Sequence, residues 1–247
     1  MRVPRIFLDQ VMELGQVVEL DDFASGHICR VLRMKAGRPL VVFNGRCGEY
    51  QAELKTAHNR KAEIEILSYE AINRESPLSI HLGLALSRGD RFDWAVQKSV
   101  ELGVTKITPL LSARADSIGD IKRQERKATH WKKLIISACE QSGRTSVPDI
   151  SAPQLNGEWM KTEAGVPGFI LQPNAPCAAD VLKGVAEPIT NLRIAIGPEG
   201  GFDVSEIEVF TKASFLPISF GPRIMRTETA PVAVISVLQY LLGDLAG

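Results

Sequence analysis

Short runs of alternating apolar and polar residues fill roughly the first seventy positions of the chain, as is typical of β-strands that bury one face. Turn signals separate the runs, among them Asn44-Gly45-Arg46, which favours a hairpin between two apolar segments. Strands are predicted at Gln16–Leu20, Pro39–Phe43, Glu49–Leu54 and Lys61–Leu67, and a short helix near Asp22–Leu32. Several short strands with regular turns predict a small β-barrel, to which we assign residues 1–72.

A polar segment, residues 73–77, follows this pattern, ends at Pro77 and is interpreted as a linker. Over residues 78–247, predicted strands alternate with predicted helices, which is typical of an α/β fold with a parallel sheet. The strands are predicted at Leu78–Leu86, Val104–Leu111, Gly168–Gln172, Leu192–Gly197 and Leu216–Phe220. The helices are predicted after the N-cap Asp90, at Ala128–Ser142, from Asp203 with a capping box completed by Glu206, and at Ala230–Leu242.

Composition is that of an ordinary globular protein, because 45% of the residues are hydrophobic and 23% are charged. The 29 Lys and Arg residues balance 29 Asp and Glu residues, so only local clusters of charge can indicate a nucleic-acid partner. The chain contains no run of about 18 apolar residues, so we expect no membrane span. The four cysteines and four histidines lack the close spacing of zinc sites, so we expect no metal, reduced thiols and a cytoplasmic location.

The densest chemical signal is a glycine-rich turn, Gly197-Pro-Glu-Gly-Gly201, between a predicted strand and a predicted helix. Ligands of parallel sheets bind at the carboxyl ends of strands, and glycines let a backbone approach a ligand closely. The turn has neither the dinucleotide-binding motif nor a P-loop, and Glu199 would repel a phosphate. It therefore suits a ligand without phosphates, although a purely structural turn remains the alternative.

A second segment of this kind, Ser219–Ala230, also follows a predicted strand and precedes a predicted helix. The two segments could form adjacent walls of one pocket. Arg223, Arg226 and Glu228 are charged groups in this otherwise apolar region, and an ion pair within the loop is the simpler explanation for them. A third segment, Cys139–Arg144, is interpreted as the glycine-capped end of a helix with a solvated arginine.

Basic residues cluster in two parts of the chain, where they could neutralise phosphates, although a solvated face is the simpler explanation for each. Between His27 and Gly48 there is no acidic residue, and we expect Arg2 and Arg5 to lie on the same small domain. The first cluster contains Arg30, Arg33, Lys35, Arg38 and Arg46, and the second contains Lys122, Arg123, Arg126, Lys127, Lys132 and Lys133.

In combination, these segments resemble the RsmE family of bacterial 16S ribosomal RNA methyltransferases, which belongs to the SPOUT superfamily of α/β-knot enzymes. The resemblance covers nearly the whole chain. It rests on Arg2–Arg5, His27–Arg33, Phe43-Asn-Gly45, Gln97–Val104, Cys139–Arg144 with Val147-Pro148, Ile196–Phe202 and Gly221–Ala230.

The resemblance implies a PUA-like RNA-binding barrel followed by a SPOUT methyltransferase domain with a trefoil knot. It also implies a homodimer that uses S-adenosylmethionine to methylate N3 of a uridine in 16S ribosomal RNA of the small subunit. By matching motif positions, the cofactor residues are Leu171, Gly197, Pro198, Gly201, Ile218, Phe220, Gly221, Ile224, Met225 and Arg226.

Methylation at N3 needs a proton acceptor and positive charge near the developing imide anion. Charge type and position favour Glu199 over Glu228 as the acceptor and Arg226 as the stabilising cation. The residues predicted to contact RNA are Arg2, Arg5, His27, Arg30, Arg33, Arg88, Lys98 and Arg144. Two other functions remain open: a non-catalytic RNA-binding factor for ribosome assembly, and a SPOUT methyltransferase that acts on another RNA.

Overall fold

The computed structural model describes residues 3–87, 89–114, 121–163, 165–185 and 188–247, and for residues 121–125 it describes the backbone alone. The chain forms two compact units. The first comprises Met1–Glu75 together with Cys139–Val147, and the second comprises Ser76–Ala138 together with Pro148–Gly247. Arg2 and Arg88, both predicted to contact RNA, lie outside the described residues.

Five strands form one mixed sheet in the first unit. They are β1 (Arg5–Phe7), β2 (Val17–Glu19), β3 (Pro39–Phe43), β4 (Glu49–Thr56) and β5 (Glu63–Glu70). Their order is β1-β3-β4-β5-β2, with β1 parallel to β3 and the other neighbours antiparallel. The four predicted strands are confirmed with small shifts of their ends, whereas β1 escapes prediction because its 3 residues are too few to show a period.

A short helix follows β2 and changes its hydrogen-bonding pattern half-way. The first part, α1 (Asp22–Gly26), begins after Asp21, whose side chain accepts a hydrogen bond from the Ala24 amide at 2.7 Å. Residues His27–Val31 continue it as a π-helical turn. The predicted helix is confirmed in place, but its second half is a wider, π-helical turn. Such turns are rare in proteins, and those that occur are often found at functional sites.

The first half of the predicted linker is held by an ion pair. Arg74 donates a hydrogen bond to Glu49 at 2.9 Å, and Glu49, whose side chain is only 6% exposed, also pairs with Arg5. Burial raises the pKa of Glu49, but hydrogen bonds from Arg74 and Arg5 outweigh this effect and hold the pKa below its ordinary value. The boundary between the two units falls after Glu75, inside the predicted linker.

All strands of the second unit run parallel. They are β6 (Ser79–Ala85), β7 (Lys106–Leu111), β8 (Asp149–Ile150), β9 (Gln154–Leu155), β10 (Gly168–Leu171), β11 (Asn191–Ile196) and β12 (Leu216–Ile218). The order in the sheet is β12-β10-β11-β6-β7-β8, and β9 also pairs with β7. The predicted α/β fold with a parallel sheet is thereby confirmed.

Six helices accompany this sheet in the described part of the chain. They are α2 (Arg91–Glu101), α3 (Ile121–Ser142), α4 (Asn156–Trp159), α5 (Ala178–Lys183), α6 (Val204–Lys212) and α7 (Thr229–Leu242). The four predicted helices are confirmed, including the capping box of Asp203 and Glu206, but α3 begins at Ile121 rather than Ala128, and Asp90 precedes α2 without a capping hydrogen bond from its side chain. The short elements β8, β9, α4 and α5 escape prediction because each helix spans fewer than two turns and each strand only a single period. The trefoil knot stays a prediction.

An aromatic core underlies the end of the glycine-rich turn. Phe202 packs against Phe210 of α6 with ring centroids 5.0 Å apart, and Phe210 in turn contacts Phe215 at 5.2 Å. Trp159 of α4, fully buried, completes this cluster. These contacts fix the residue that follows Gly201 and thereby the position of the turn.

Candidate active site

Three neighbouring strands bring the two predicted loops to one edge of the parallel sheet. Strand β10 lies between β11 and β12, with Ile170 opposite Ala195 and Leu171 opposite Ile218. Because parallel neighbours end at the same edge, the loops that follow Leu171, Ile196 and Ile218 meet there. The expectation that the two glycine-rich segments are adjacent walls is confirmed by the cleft between them.

This cleft has a volume of about 370 Å³, within the range of roughly 300–1,000 Å³ that is usual for small-molecule sites. Eight of the predicted cofactor residues line it: Leu171, Gly197, Pro198, Gly201, Phe220, Gly221, Ile224 and Met225. Sequence reasoning missed other lining residues, among them Gln172, Pro173, Phe202, Ile207, Ser219 and Thr227. Most of these flank the predicted positions, so the strand ends themselves were the available signal.

Two predicted cofactor residues lie outside the lining of the cleft. Ile218 is fully buried in β12, behind the wall. Arg226 has an exposed side chain, and its carbonyl oxygen accepts hydrogen bonds from the Thr229 and Ala230 amides, each at 2.9 Å, at the start of α7. The structure thus places Arg226 beside the lining residues Met225 and Thr227, with its guanidinium outside both cavities described here.

The glycine-rich turn is held in one conformation from both sides. Gly201 has a φ of 67°, which favours glycine, and its amide donates to the Pro198 carbonyl at 2.8 Å. A Cβ atom on Gly197 would lie 3.0 Å from the Phe202 backbone nitrogen, so the close approach of these segments also requires glycine. Arg114 donates to the Gly200 carbonyl at 2.8 Å and thereby anchors the middle of the turn.

The helix after this turn starts at a carboxylate that stays ionised. Hydrogen bonds from the Ser205 backbone and hydroxyl, with a smaller contribution from Arg114, lower the pKa of Asp203 below its ordinary value. Glu206 completes the capping box and also accepts hydrogen bonds from Ser112 and Asn156. The turn is therefore supported by residues that follow β7 as well as by its own helix.

A second cavity, an open groove of about 960 Å³, adjoins the cleft at Glu199. In it Arg91 donates a hydrogen bond to Glu199 at 3.0 Å and lies 4.0 Å from Glu228. The structure therefore brings both predicted proton acceptors to a single guanidinium. Sequence reasoning missed Arg91, although it follows β6, the neighbour of β11, and so belongs to the same edge of the sheet.

Comparison with known proteins agrees with this geometry. Residues 74–239 match the model of the RNA methyltransferase domain, and residues 20–67 match that of the RNA methyltransferase PUA domain. The protein named ribosomal RNA small subunit methyltransferase E of Buchnera aphidicola subsp. Schizaphis graminum is 38% identical over 99% of each chain. This chain belongs to that family. The protein of the same name from Bacillus subtilis is 29% identical over 90% of this chain and 89% of its own chain.

Two solved structures of the same kind share the complete fold. A putative methyltransferase from Legionella pneumophila, in complex with the bound cofactor SAM, has a TM-score of 0.94 and 38% identity over 99% of this chain and 100% of its own. The ribosomal RNA small subunit methyltransferase E of Neisseria gonorrhoeae, bound to S-adenosyl methionine, has a TM-score of 0.91 and 35% identity, with the same coverage. The resemblance to the RsmE family is thereby confirmed.

Two of the arginines predicted to contact RNA form ion pairs with carboxylates of the first unit. The Arg5 side chain is buried and pairs with Glu49. Arg144 is 5% exposed, and its guanidinium donates to Glu75 at 2.9 and 2.5 Å. The interpretation of Arg144 as a solvated arginine is therefore wrong, because its charge is compensated by a carboxylate 69 positions earlier in the chain.

The other described residues of that set are more accessible. Arg30 and Arg33 are exposed in the first unit, and His27 is half-buried. Lys98 of the second unit is half-buried and donates to Glu101 at 2.7 Å. In the described part of the chain, no helix is long and apolar enough to cross a membrane, and no group of three or more metal-ligating side chains is found.

Proposed function

We propose that this protein transfers a methyl group from S-adenosylmethionine to N3 of a uridine in 16S ribosomal RNA. The observation that carries the proposal is the cleft between two glycine-rich loops at neighbouring strand ends, in a chain that is 38% identical along its whole length to a ribosomal RNA small subunit methyltransferase E. The relatives from Legionella and Neisseria were solved with this donor bound.

The cleft suits a nucleoside with a short zwitterionic tail better than a nucleotide triphosphate. Its lining is rich in glycine, proline and apolar side chains, with Arg223 as a single cation and Glu199 as a single anion among the described lining residues. Backbone groups of Gly197 and Gly221 and the apolar side chains of Leu171, Phe220 and Met225 would hold the donor. When bound, it supplies an electrophilic methyl group on a sulfonium, so the transfer needs no metal.

The chain's own residues provide the proton transfer. Glu199 lies where the cleft and the groove meet, and there its carboxylate accepts the N3 proton of the target uridine. Arg91 holds this carboxylate in place, and Glu228, on the same guanidinium, is the second candidate acceptor. Arg226, whose exposed guanidinium lies outside both cavities, would turn toward the groove to provide positive charge near the uracil carbonyl oxygen. The target base leaves its stack to enter this site.

The product of the reaction tests the proposal. The purified protein is incubated with the donor and with small-subunit ribosomal RNA from a strain that lacks this gene, and the RNA is digested and analysed by mass spectrometry. N3-methyluridine at one position of 16S ribosomal RNA is expected. A methyl group on another base or another RNA would support the alternative SPOUT substrate, and donor binding absent in isothermal titration would support the non-catalytic assembly factor.

The Gly197→Ala variant should bind the donor about tenfold more weakly, because its Cβ must displace the Phe202 backbone from a distance of 3.0 Å at a cost of about 1–2 kcal/mol. Isothermal titration with S-adenosylmethionine measures the effect. Gly157→Ala is the matched control, since nothing lies within 4 Å of a Cβ at that position of the same unit. Equal affinities for the two variants would contradict the assignment of the turn.

The barrel of residues 1–72, which makes up most of the first unit, would bind RNA, and residues 78–247 would carry the catalytic site, with 73–77 between them. The exposed Arg30 and Arg33 are the proposed phosphate contacts, while Arg5 and Arg144 have structural roles. The substrate implies a cytoplasmic location. A homodimer is supported by three exposed apolar side chains, Val237, Tyr240 and Leu241, on one side of α7.

Replacement of Arg30 by alanine should weaken RNA binding and reduce the slope of log K against log salt by about 1, because one phosphate contact releases about one counterion. Fluorescence anisotropy with labelled 16S ribosomal RNA fragments at several salt concentrations measures the slope. The exposed Arg60 of the same unit, changed to alanine, serves as the control for loss of charge. An unchanged slope for Arg30→Ala would remove this residue from the interface.

A further inference from the structure

The groove beside the cofactor cleft carries chemistry that the proposed mechanism uses only in part. In the described part of the chain it is lined by Gly89, Asp90, Arg91, Trp94, Arg114, Glu199 and Glu228. Glu199 lines both the groove and the cleft. A group in the groove can therefore contact the same carboxylate that a donor in the cleft contacts. The groove is therefore the place where an acceptor of the methyl group can approach.

Both guanidinium groups of the groove are paired within the protein. Arg91 is held by Glu199 and Glu228, and Arg114 is held by the Gly200 carbonyl and by Asp203 at 3.1 Å. With Asp90, the described lining contains three carboxylates and two guanidinium groups. Such a surface does not attract a phosphate, but it offers hydrogen-bonding groups to a neutral polar molecule.

The groove also contains an exposed aromatic side chain, that of Trp94. Trp94 is 44% exposed, whereas the other two tryptophans of the chain, Trp131 and Trp159, are 2% and 0% exposed. Trp94 lies three positions after Arg91 on α2, so both side chains project from the same side of this helix. An exposed indole beside polar groups is a typical stacking platform for nucleobases.

We propose that the base of the target nucleotide lies in this groove, stacked on the indole of Trp94 with its polar edge toward Glu199. The inference rests on the proposed function and adds to it a residue that recognises the acceptor. A neutral uracil can stack on the aromatic face and does not need the guanidinium groups, which are already paired, while the phosphates of the RNA chain remain outside the groove. Trp94 contributes binding of the acceptor, and Arg91 is a positioning residue for the carboxylates at its edge.

Tryptophan fluorescence tests the stacking directly, because Trp94 is the tryptophan with substantial solvent exposure. The probe is an RNA fragment with an unmethylated uridine at the position that the product experiment identifies as the target, compared with the same fragment with an abasic residue at that position. The uridine fragment should quench the emission of the protein, and the abasic fragment should not. In the Trp94→Phe variant neither fragment should quench, and equal quenching of the unaltered protein by both fragments would overturn the proposal.

Kinetics separate this inference from the proposed function. Trp94→Ala should lower kcat/KM for RNA by about 10-fold to 100-fold through a higher KM, as expected for one lost stacking partner, with donor affinity unchanged. Trp94→Phe should retain most of the activity, and Val209→Ala, at a residue of α6 with the same 44% exposure, should retain all of it. If the unaltered protein methylates the RNA and Trp94→Ala does so equally well, the subsite is wrong and the function stands.

Two further outcomes are decisive. An unaltered protein that transfers no methyl group would overturn the proposed function itself, and with it this subsite. A Trp94→Ala variant with a changed sedimentation coefficient would assign the indole to a contact with a second copy of the chain and would overturn its role in base stacking.

Discussion

Glu199→Gln is expected to lower the single-turnover rate of methyl transfer by about 10²-fold or more when S-adenosylmethionine is saturating. A positioned base contributes about 10²–10⁴-fold to such reactions, and glutamine keeps the shape of the side chain while it removes the ability to accept the proton. The carboxylate lies at the junction of the cleft and the groove, 3.0 Å from Arg91, so its loss affects the step in which the N3 proton leaves. Rapid-quench measurement with pre-bound RNA isolates that step from RNA binding.

Three comparison variants make this prediction specific. Glu228→Gln tests the second carboxylate near Arg91, and Arg226→Ala tests the cation proposed to stabilise the uracil oxygen. Glu208→Gln removes one negative charge from the exposed surface of α6 and should leave the rate unchanged. Full turnover by Glu199→Gln with normal RNA binding would show that this residue is not the base, and a slow Glu228→Gln variant would then identify the base as Glu228.

Glu75→Ala is expected to destabilise the first unit by about 3–5 kcal/mol, the usual cost of removing one partner from a buried ion pair. The Glu75 carboxylate accepts two hydrogen bonds from Arg144 and one each, at 3.1 Å, from the Thr145 and Ser146 amides. Without it, the buried guanidinium of Arg144 loses this carboxylate partner, and the Thr145 and Ser146 amides lose this acceptor. Urea unfolding and amide hydrogen exchange at Thr145 and Ser146 measure the global and the local effect.

The exposed Glu13 of the same unit, changed to alanine, should alter the stability by no more than about 0.5 kcal/mol. The double variant Glu75→Ala, Arg144→Met removes both charges and should recover part of the loss, since the uncompensated charge is then absent. A stability of Glu75→Ala equal to that of Glu13→Ala would contradict the structural role of this pair. A loss that the double variant does not reduce would attribute the effect to the two amides.

The ion pairs of the first unit explain why the residues of the Cys139–Arg144 segment resemble a motif without forming part of the cleft. Cys139–Val147 belongs to the first unit, where Arg144 is held by Glu75 and Gly143 accepts a hydrogen bond from Arg74 at 3.1 Å. The Phe7 amide donates to Glu140 at 3.1 Å in the same unit. The polar residues of this segment therefore hold the first unit together, and the candidate chemistry lies in the second.

The longer elements and the two loops could be predicted from the order of residues alone. Periods of apolar residues extend over enough positions in α2, α3, α6 and α7 to be recognised, and each glycine-rich segment follows an apolar strand. Since parallel strands end at one edge, the two loops could be predicted to meet, and the resemblance to the RsmE family supplied the ten cofactor positions, eight of which line one cleft. Local geometry and strand polarity are properties of short stretches of chain, so short stretches are sufficient to predict them.

The pairing of charges, in contrast, depends on the folded chain. Arg144 finds Glu75 across 69 positions, Arg5 finds Glu49 across 44, and Arg91 finds Glu199 across 108. A cluster of arginines in the sequence looks the same whether its members face solvent or a buried carboxylate, because the partner is brought close by folding and not by spacing. For the same reason the exposure of Trp94, and the groove in which it lies, became visible only when the chain was folded.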